Sequence, residues 1–430
     1  MVPPVYRLTL ILLFALLCGS PLFAQTVADP VDSLQSQVDA NGILAAFFSG
    51  KSSKPAAPTE PLQNRTYWSV LPSAAYNPSV GFAAGVISSG GKYFGDPANT
   101  TLSVINAGFY LSTGGLSTFE FKQNAFSAQN KWNLQGTVQI GKTVAMDNGL
   151  GTGGRSFGEG NFFMNNTHFE NNPDAFPIRY VYIKANERIY RKLANSIYVG
   201  AGLSFNYYSH IDDDRKDIPI SETHNYRYSI RNGFPVNSYQ ANGLLLNFQF
   251  NTRDQPNRAF RGIYADIVLR SNQTWLGSNR DAMQVKVEFR KYWSLSKTNP
   301  EHVFALWHWS NYLISGALPY LELPGTGSDA YSRIGRAFII GRFKGMSFVY
   351  NEAEYRFPLT GNKLLSGVAF INAQTANNQQ RIKLFSHWEP GGGAGLRLLF
   401  NKYTRSNLCI DYGRGTYGSS GFFLGLNEVF

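Results

Sequence analysis

Several clusters in this chain have residue types that could do chemistry. His308 and Ser310 share one face of a strand, the spacing of a base and a nucleophile, as an outer-membrane lipid hydrolase would need. The chain has six histidines and none supplies a matching third group, so two polar residues lining a lumen are the competing reading. His210-Ile211-Asp212-Asp213-Asp214 offers oxygen ligands to a divalent cation, but Arg215 and Lys216 beside it favour a solvated loop. Residues 149–160 are glycine-rich yet lack the Gly-Lys-[Ser/Thr] of a phosphate cradle. These readings predict no catalytic residue, no metal site and no cofactor. A different pattern is electrostatic. Glu352, Glu354 and Arg356 share one parity, while Val349, Ala353, Tyr355 and Phe357 share the other.

The elements that must carry these residues follow from composition and period. The chain has 430 residues, 43% hydrophobic, 15% aromatic and 16% charged, against roughly 25% charged in ordinary soluble domains. Mean hydropathy is −0.22. Disorder would need more charge and fewer rings, and a helical membrane protein would need repeated apolar runs of roughly 20 residues. From Tyr67 onward apolar residues instead recur at every second position. Met283, Val285, Val287 and Phe289 alternate with Gln284, Lys286, Glu288 and Arg290, and Leu244, Leu246, Phe248 and Phe250 behave alike. The reading is all-β: a transmembrane antiparallel β-barrel of about 16 strands over 67–430, apolar toward lipid and polar toward the lumen. The long connections, near 142–177, 209–242, 317–345 and 375–390, fall on one side and short turns on the other. Residues 1–24 read as a signal peptide. Residues 25–66 read as a short periplasmic segment, with one helix over 32–48 and a Pro/Ser linker at 51–61. Once Cys18 leaves with the signal, Cys409 is the remaining cysteine, which excludes an internal disulfide. The formal charge of +11 would suit anionic lipid or nucleic acid. No Lys/Arg run of five or more is present, so no nucleic-acid partner is expected, and the charges read as scattered over many strands.

Longer motifs add a family. Arg336-Ala337-Phe338 stands in a long loop and is followed by Glu354-Tyr355-Arg356-Phe357-Pro358-Leu359. This resembles the BamA/TamA family of outer-membrane assembly and translocation barrels, the bacterial surface antigens. That family has Arg-Gly-[Tyr/Phe] in the loop and Glu-Tyr-Arg-Phe-Pro-Leu in the strand, so Ala337 replaces a glycine. The resemblance implies a loop folded into the lumen, with Arg336 pairing with Glu352 or Glu354 of the charged parity. Asn372, where the family has an acid, would accept a hydrogen bond from Arg336. Asn251-Thr252-Arg253-Asp254 with Gly262 and Tyr264 is similar to a family hairpin, and Asp411-Tyr412-Gly413 with Phe430 to the last two strands. Phe430 would also serve as a terminal barrel signal.

The resemblance implies insertion or translocation of outer-membrane proteins or lipids at the outer membrane of a Gram-negative bacterium, without covalent catalysis. A weak seam between the first and last strands would open, helped by Pro72, which cannot donate to a ladder. The partners implied are the lipid bilayer and a lipoprotein or periplasmic accessory protein. About 40 residues precede the barrel after the expected cleavage, too few for the family's POTRA receptor domains. A passive diffusion porin is the alternative, and a lipid hydrolase a remote one.

Overall fold

The computed structural model describes residues 37–40, 42, 43, 66–77, 81–153, 162–164, 167–169, 175–213, 219–330, 332–379 and 382–430. The expected signal peptide and the 51–61 linker lie outside them. Of the helix expected over 32–48, Ala40, Gly42 and Ile43 are helical. Asp39 caps this turn by accepting from the Gly42 amide at 2.8 Å. Its other oxygen accepts from the Lys402 amide at 2.9 Å, and the Val38 amide donates to the Asn362 carbonyl. Residues 38–43 are thereby fastened to two turns of the sheet.

Among the described residues sixteen strands form one antiparallel meander. They are β1 (Thr66–Asn77), β2 (Gly81–Lys92), β3 (Ser103–Ser112), β4 (Ser117–Phe126), β5 (Trp132–Asp147), β6 (Phe176–Ala194), β7 (Ile197–Asp213) and β8 (Gly243–Asn251). Then come β9 (Gly262–Asn272), β10 (Ala282–Ser294), β11 (Val303–Gly316), β12 (Ser347–Pro358), β13 (Leu365–Ala376), β14 (Glu389–Asn401), β15 (Ser406–Gly415) and β16 (Ser420–Leu426). Each strand pairs with the next. Tyr239–Gln240 adds a short strand to β7. Among the described residues no register joins β16 to β1.

The sheet is inside out relative to a soluble sandwich. In β8, Leu244, Leu246 and Phe248 are exposed while Leu245, Asn247 and Gln249 are buried. Trp68, Phe119, Ile140, Ile371 and Phe422 are likewise exposed, whereas Asp266, Glu288, Arg356, Arg397 and Asp411 are buried. Period two puts one residue set on each face, and only lipid outside with a polar lumen inside makes both sets favourable. Among the described residues no helix is long and apolar enough to cross a membrane.

The long connections gather at one end, which the long-loop rule assigns to the outside. They pack on one another. The 214–242 connection contains α1 (His224–Asn232), capped by Thr223, whose side chain accepts from the Tyr226 amide, and ended by Gly233 at φ 69°. Tyr228 of α1 donates to the Leu318 carbonyl at 2.9 Å, and these two residues share a buried cluster with Phe234, Tyr320 and Leu323. The Gly151 amide donates to the Lys344 carbonyl at 2.7 Å. The glycine-rich 149–153 stretch thus lies against another loop. The rest of 154–160 lies outside the described residues.

Candidate functional site

The connection from β11 to β12, residues 317–346, carries the site. Two turns shape it. Asp329 accepts from the Arg333 amide at 2.6 Å and the Ile334 amide at 2.8 Å, and Gly335, at φ 82°, begins a turn in which the Phe338 amide donates to its carbonyl at 2.8 Å. An L side chain at Gly335 would be strained by that φ and would meet the Thr326 methyl at 2.4 Å. Arg336, Ala337 and Phe338 stand at the tip of this loop, all buried.

Arg336 meets three carboxylates from two distant strands. Its Nη2 donates to Glu352 Oε1 at 2.5 Å and to Glu354, and its Nη1 donates to Asp411 Oδ2 at 2.8 Å. The guanidinium also lies 3.9 Å from the centroid of the Phe370 ring. Burial disfavours its charge, but Glu352, Glu354 and Asp411 outweigh burial and raise its pKa well above the ordinary arginine value. An ionised cluster of this kind holds together only when each charge has partners. The partners continue as a chain. Arg397 donates to Asp411 Oδ1 at 2.5 Å and to Glu428 Oε2 at 2.8 Å. Arg356 donates to Glu354, and Arg258 lies 3.7 Å from Glu428 and 3.2 Å from Glu301.

The loop tip rests on glycines of β14 and β15. A Cβ at Gly413 would stand 2.3 Å from the Arg336 carbonyl oxygen, one at Gly391 2.6 Å from Ala337 Cβ, and one at Gly415 2.3 Å from the Phe338 ring. The Ala337 carbonyl accepts from Ser419 at 2.8 Å. The methyl group at Ala337 fits because Gly391 faces it.

The same loop has a second anchor on the opposite wall. Glu322 accepts from Tyr208 at 2.7 Å, Asn206 at 2.8 Å and Arg270 at 2.9 Å. Burial pushes its carboxyl up, yet Arg270 and Lys184 outweigh burial and hold it below the usual range. A depressed carboxyl contributes stability above its unfolded pKa of about 4.3, and that stability is lost as the pH falls through the folded value. Glu322→Gln should therefore lower the urea midpoint at pH 7, and the gap to the parent should narrow as the pH falls below about 4.3. A midpoint unchanged at pH 7 would remove this anchor from the account.

Other residues singled out from the sequence sit elsewhere. Asn372 does not accept from Arg336. Its amide donates to Glu352 Oε2 at 3.4 Å, because the carboxylates compete better than a neutral acceptor for the guanidinium. Arg253, Asp254 and Gly262 form the turn between β8 and β9, away from the loop tip. Arg253 stacks on Tyr264, and Asp254 accepts from the Phe260 amide at 3.0 Å and from Arg405 at 2.6 Å. Gly262 has φ 108°. Tyr355 and Phe357 stack on the lipid face, and Pro358 ends β12. Phe430 is not in a strand. β16 stops at Leu426, Asn427 takes φ 71°, and Phe430 turns inward to stack 5.1 Å from Trp307, its carbonyl accepting from Arg356 at 2.8 Å. The inward turn brings Glu428 to Arg397, while the Asn427 amide still donates to the Asn407 carbonyl at 2.7 Å.

His308 does not line the lumen. It faces lipid between Ser310, 3.0 Å from Nε2, and Asn351, 2.9 Å from Nδ1. Asp213 accepts from Thr223 at 2.6 Å, which makes it part of the α1 cap, and among the described residues no His/Cys/Asp/Glu group of three or more could hold a metal ion. Arg397, Glu428, Arg258 and Tyr350 were not singled out from the sequence. Arg397 alone carried a signal, as the charged residue in phase with Gly391, Gly393 and Gly395 on β14.

Between the loop, β16 and the wall β1–β4 lies a cavity of about 400 Å³, lined by Ser73, Tyr110, Glu120, Lys122, Arg333 and Phe423 among others. Arg333 of the loop donates to the Leu426 carbonyl at 2.6 Å and to the Glu428 carbonyl.

Known proteins share this architecture. The barrel is similar to BamA from Haemophilus ducreyi lacking POTRA domains 1–3, with a TM-score of 0.50 and 13% identity over 84% of this chain and 69% of that one. It is similar to CdiB from Escherichia coli, with a TM-score of 0.52 and 8% identity over 86% of this chain and 63% of that one. No curated protein matches the chain in sequence. The model of the Omp85 superfamily domain matches residues 152–413. That match spans more than half of the chain, so the chain belongs to the Omp85 superfamily: an outer-membrane β-barrel of a Gram-negative bacterium, and not an enzyme.

Proposed function

We propose that the chain aids insertion or translocation of outer-membrane proteins or lipids by opening laterally between β1 and β16, with the 317–346 loop holding the closed form. One observation carries the reading: the strands at the two ends of the meander share no ladder among the described residues, while the loop bonds to the last of them through Arg333. Strand edges without ladder bonds cost free energy in lipid, so such a boundary suits opening better than passive housing of a pore. Pro72 in β1, which cannot donate a backbone hydrogen bond, adds to the weakness. A lipoprotein or periplasmic accessory protein would deliver the substrate.

The test uses vesicles containing the full chain and a small unfolded outer-membrane barrel as substrate. Cysteines placed at Ser73 and Phe423, which line one cavity, are joined by a short bis-maleimide in a Cys409→Ser background. Folding of the added barrel should be accelerated by the open form and return to the empty-vesicle rate after cross-linking. Equal acceleration by both forms would sink lateral opening. A porin is distinguished by planar-bilayer recording. The loop crossing the lumen predicts a low, fluctuating conductance, and a large steady conductance would favour the porin.

A further inference from the structure

A groove on the lipid face of the inner rim has no part in the luminal site. It lies at the inner ends of β4, β5 and β6, with a volume of about 420 Å³, and is walled by Phe94, Trp132, Leu134 and Ile189 over Ala125 and Ala128. Phe94, Trp132 and Ile189 are 55%, 48% and 51% exposed, so the groove presents rings and an aliphatic side chain to the bilayer.

Hydrogen bonds between neighbouring turns build the groove before any ligand arrives. Asn130 accepts from the Thr101 amide at 2.8 Å and donates to Thr101 Oγ1 at 2.9 Å, and the Gln129 amide donates to Thr100 at 3.0 Å. Gly95 packs so closely that a Cβ there would stand 2.8 Å from Ala128 Cα. The inner end of β6 is tied on by the Lys192 amide, which donates to the Lys131 carbonyl at 2.9 Å.

Three cations stand at the inner end of this groove. Lys131 is in the turn after β4, beside the inner end of β6, whereas Lys192 follows the luminal parity of Tyr190 and lies on the other face. Arg191 lies 5.6 Å from the Trp132 ring centroid and Lys92 5.7 Å from that of Phe94. Asp96 is the one acid among the described residues of these turns, and its carboxylate accepts from the Ala98 amide at 2.9 Å. Glu187, higher on the wall, is held by Gln123 at 3.0 Å. It is four residues from Arg191, about 13 Å at roughly 3.3 Å per residue. Like charges on touching turns repel, and an anion bound between them relieves the repulsion. A soluble acidic protein would answer the charges but not the rings, which face lipid at the interfacial level.

We propose that this groove is a site for an anionic phospholipid of the inner leaflet, its phosphate held by Lys131, Arg191 and Lys92 and an acyl chain laid along Phe94, Trp132 and Ile189. Each cation near an anionic surface adds about fivefold, so reversing two should cost at least tenfold.

The experiment is native mass spectrometry of the folded full chain, released from micelles holding equimolar phosphatidylglycerol and phosphatidylcholine. The parent should keep phosphatidylglycerol preferentially. Lys131→Glu with Arg191→Glu should lose at least tenfold of that adduct, whereas Lys297→Glu, on another inner turn, should retain it. Trp132→Ala should weaken retention of both lipids. Heat-shifted gel mobility checks that each variant is folded, and Lys131→Gln with Arg191→Gln replaces the reversal if it is not. Equal retention by parent and double variant, or no preference between the two lipids, overturns the site. Displacement by an equal concentration of inorganic phosphate would also overturn it, because the acyl chain would then contribute nothing.

Discussion

Arg336→Glu should abolish the folded, heat-modifiable form of the barrel or lower its urea midpoint severely. Arg336 is the shared partner of Glu352, Glu354 and Asp411, all buried. Removing one member of a buried ion pair costs about 3–5 kcal/mol, and the reversal adds a fourth carboxylate to the cluster. Arg336→Lys keeps the charge but not the planar fork that reaches three acceptors at once, so it should fall between parent and Arg336→Glu. Arg336→Ala combined with Glu354→Gln should recover part of the loss, because one uncompensated charge is gone. The urea midpoints of these three variants, read by gel mobility and tryptophan fluorescence, form the check. If Arg336→Glu unfolds at the parent's midpoint, the ion cluster does not hold the loop in the lumen.

How much of this was legible beforehand depends on the range of each contact. The strands were legible because their period fixes two faces without knowledge of the neighbours. The same rule put Glu352 and Glu354 on the polar side of β12, where they are buried beside Arg336. Asp411 could be seen only as part of a motif, and its bond to Arg336 comes from strands far apart in the chain. Arg397 and Glu428 were harder. Their meeting requires β16 to stop at Leu426 and the next residues to turn inward, which no alternation announces. The α1 helix left local signals, Thr223 before it and Gly233 after it, but nine residues are too few for the helical period to stand out inside a long connection. The inner-rim lipid groove was out of reach because Phe94, Trp132 and Ile189 converge only through strand register and bonded turns.

Gly413→Val should displace the loop even though it changes no charge. A Cβ at Gly413 would stand 2.3 Å from the Arg336 carbonyl oxygen and 3.1 Å from Ala337 Cα. Both are backbone atoms, so no rotamer change relieves the clash, and either β15 or the loop must move. Overpacking of a tight interior costs about 1–3 kcal/mol when it can be absorbed. Here the cheaper response is for the loop tip to lift, because β15 is held by ladders on both sides while the tip is held by side chains. Lifting breaks the Arg336 bonds to Asp411 and Glu352 together, so the loss should exceed the steric cost alone. Gly421→Ala on β16 is the matched control: its nearest neighbour, the Phe423 ring, would lie 3.9 Å from the added Cβ, ordinary contact. In planar bilayers Gly413→Val should raise the mean conductance several-fold and make the 317–346 loop more sensitive to protease, with Gly421→Ala unchanged on both readings. A folded Gly413→Val barrel with the parent's conductance and protease pattern would mean that β15 yields instead, and that the glycine floor does not set the position of the loop.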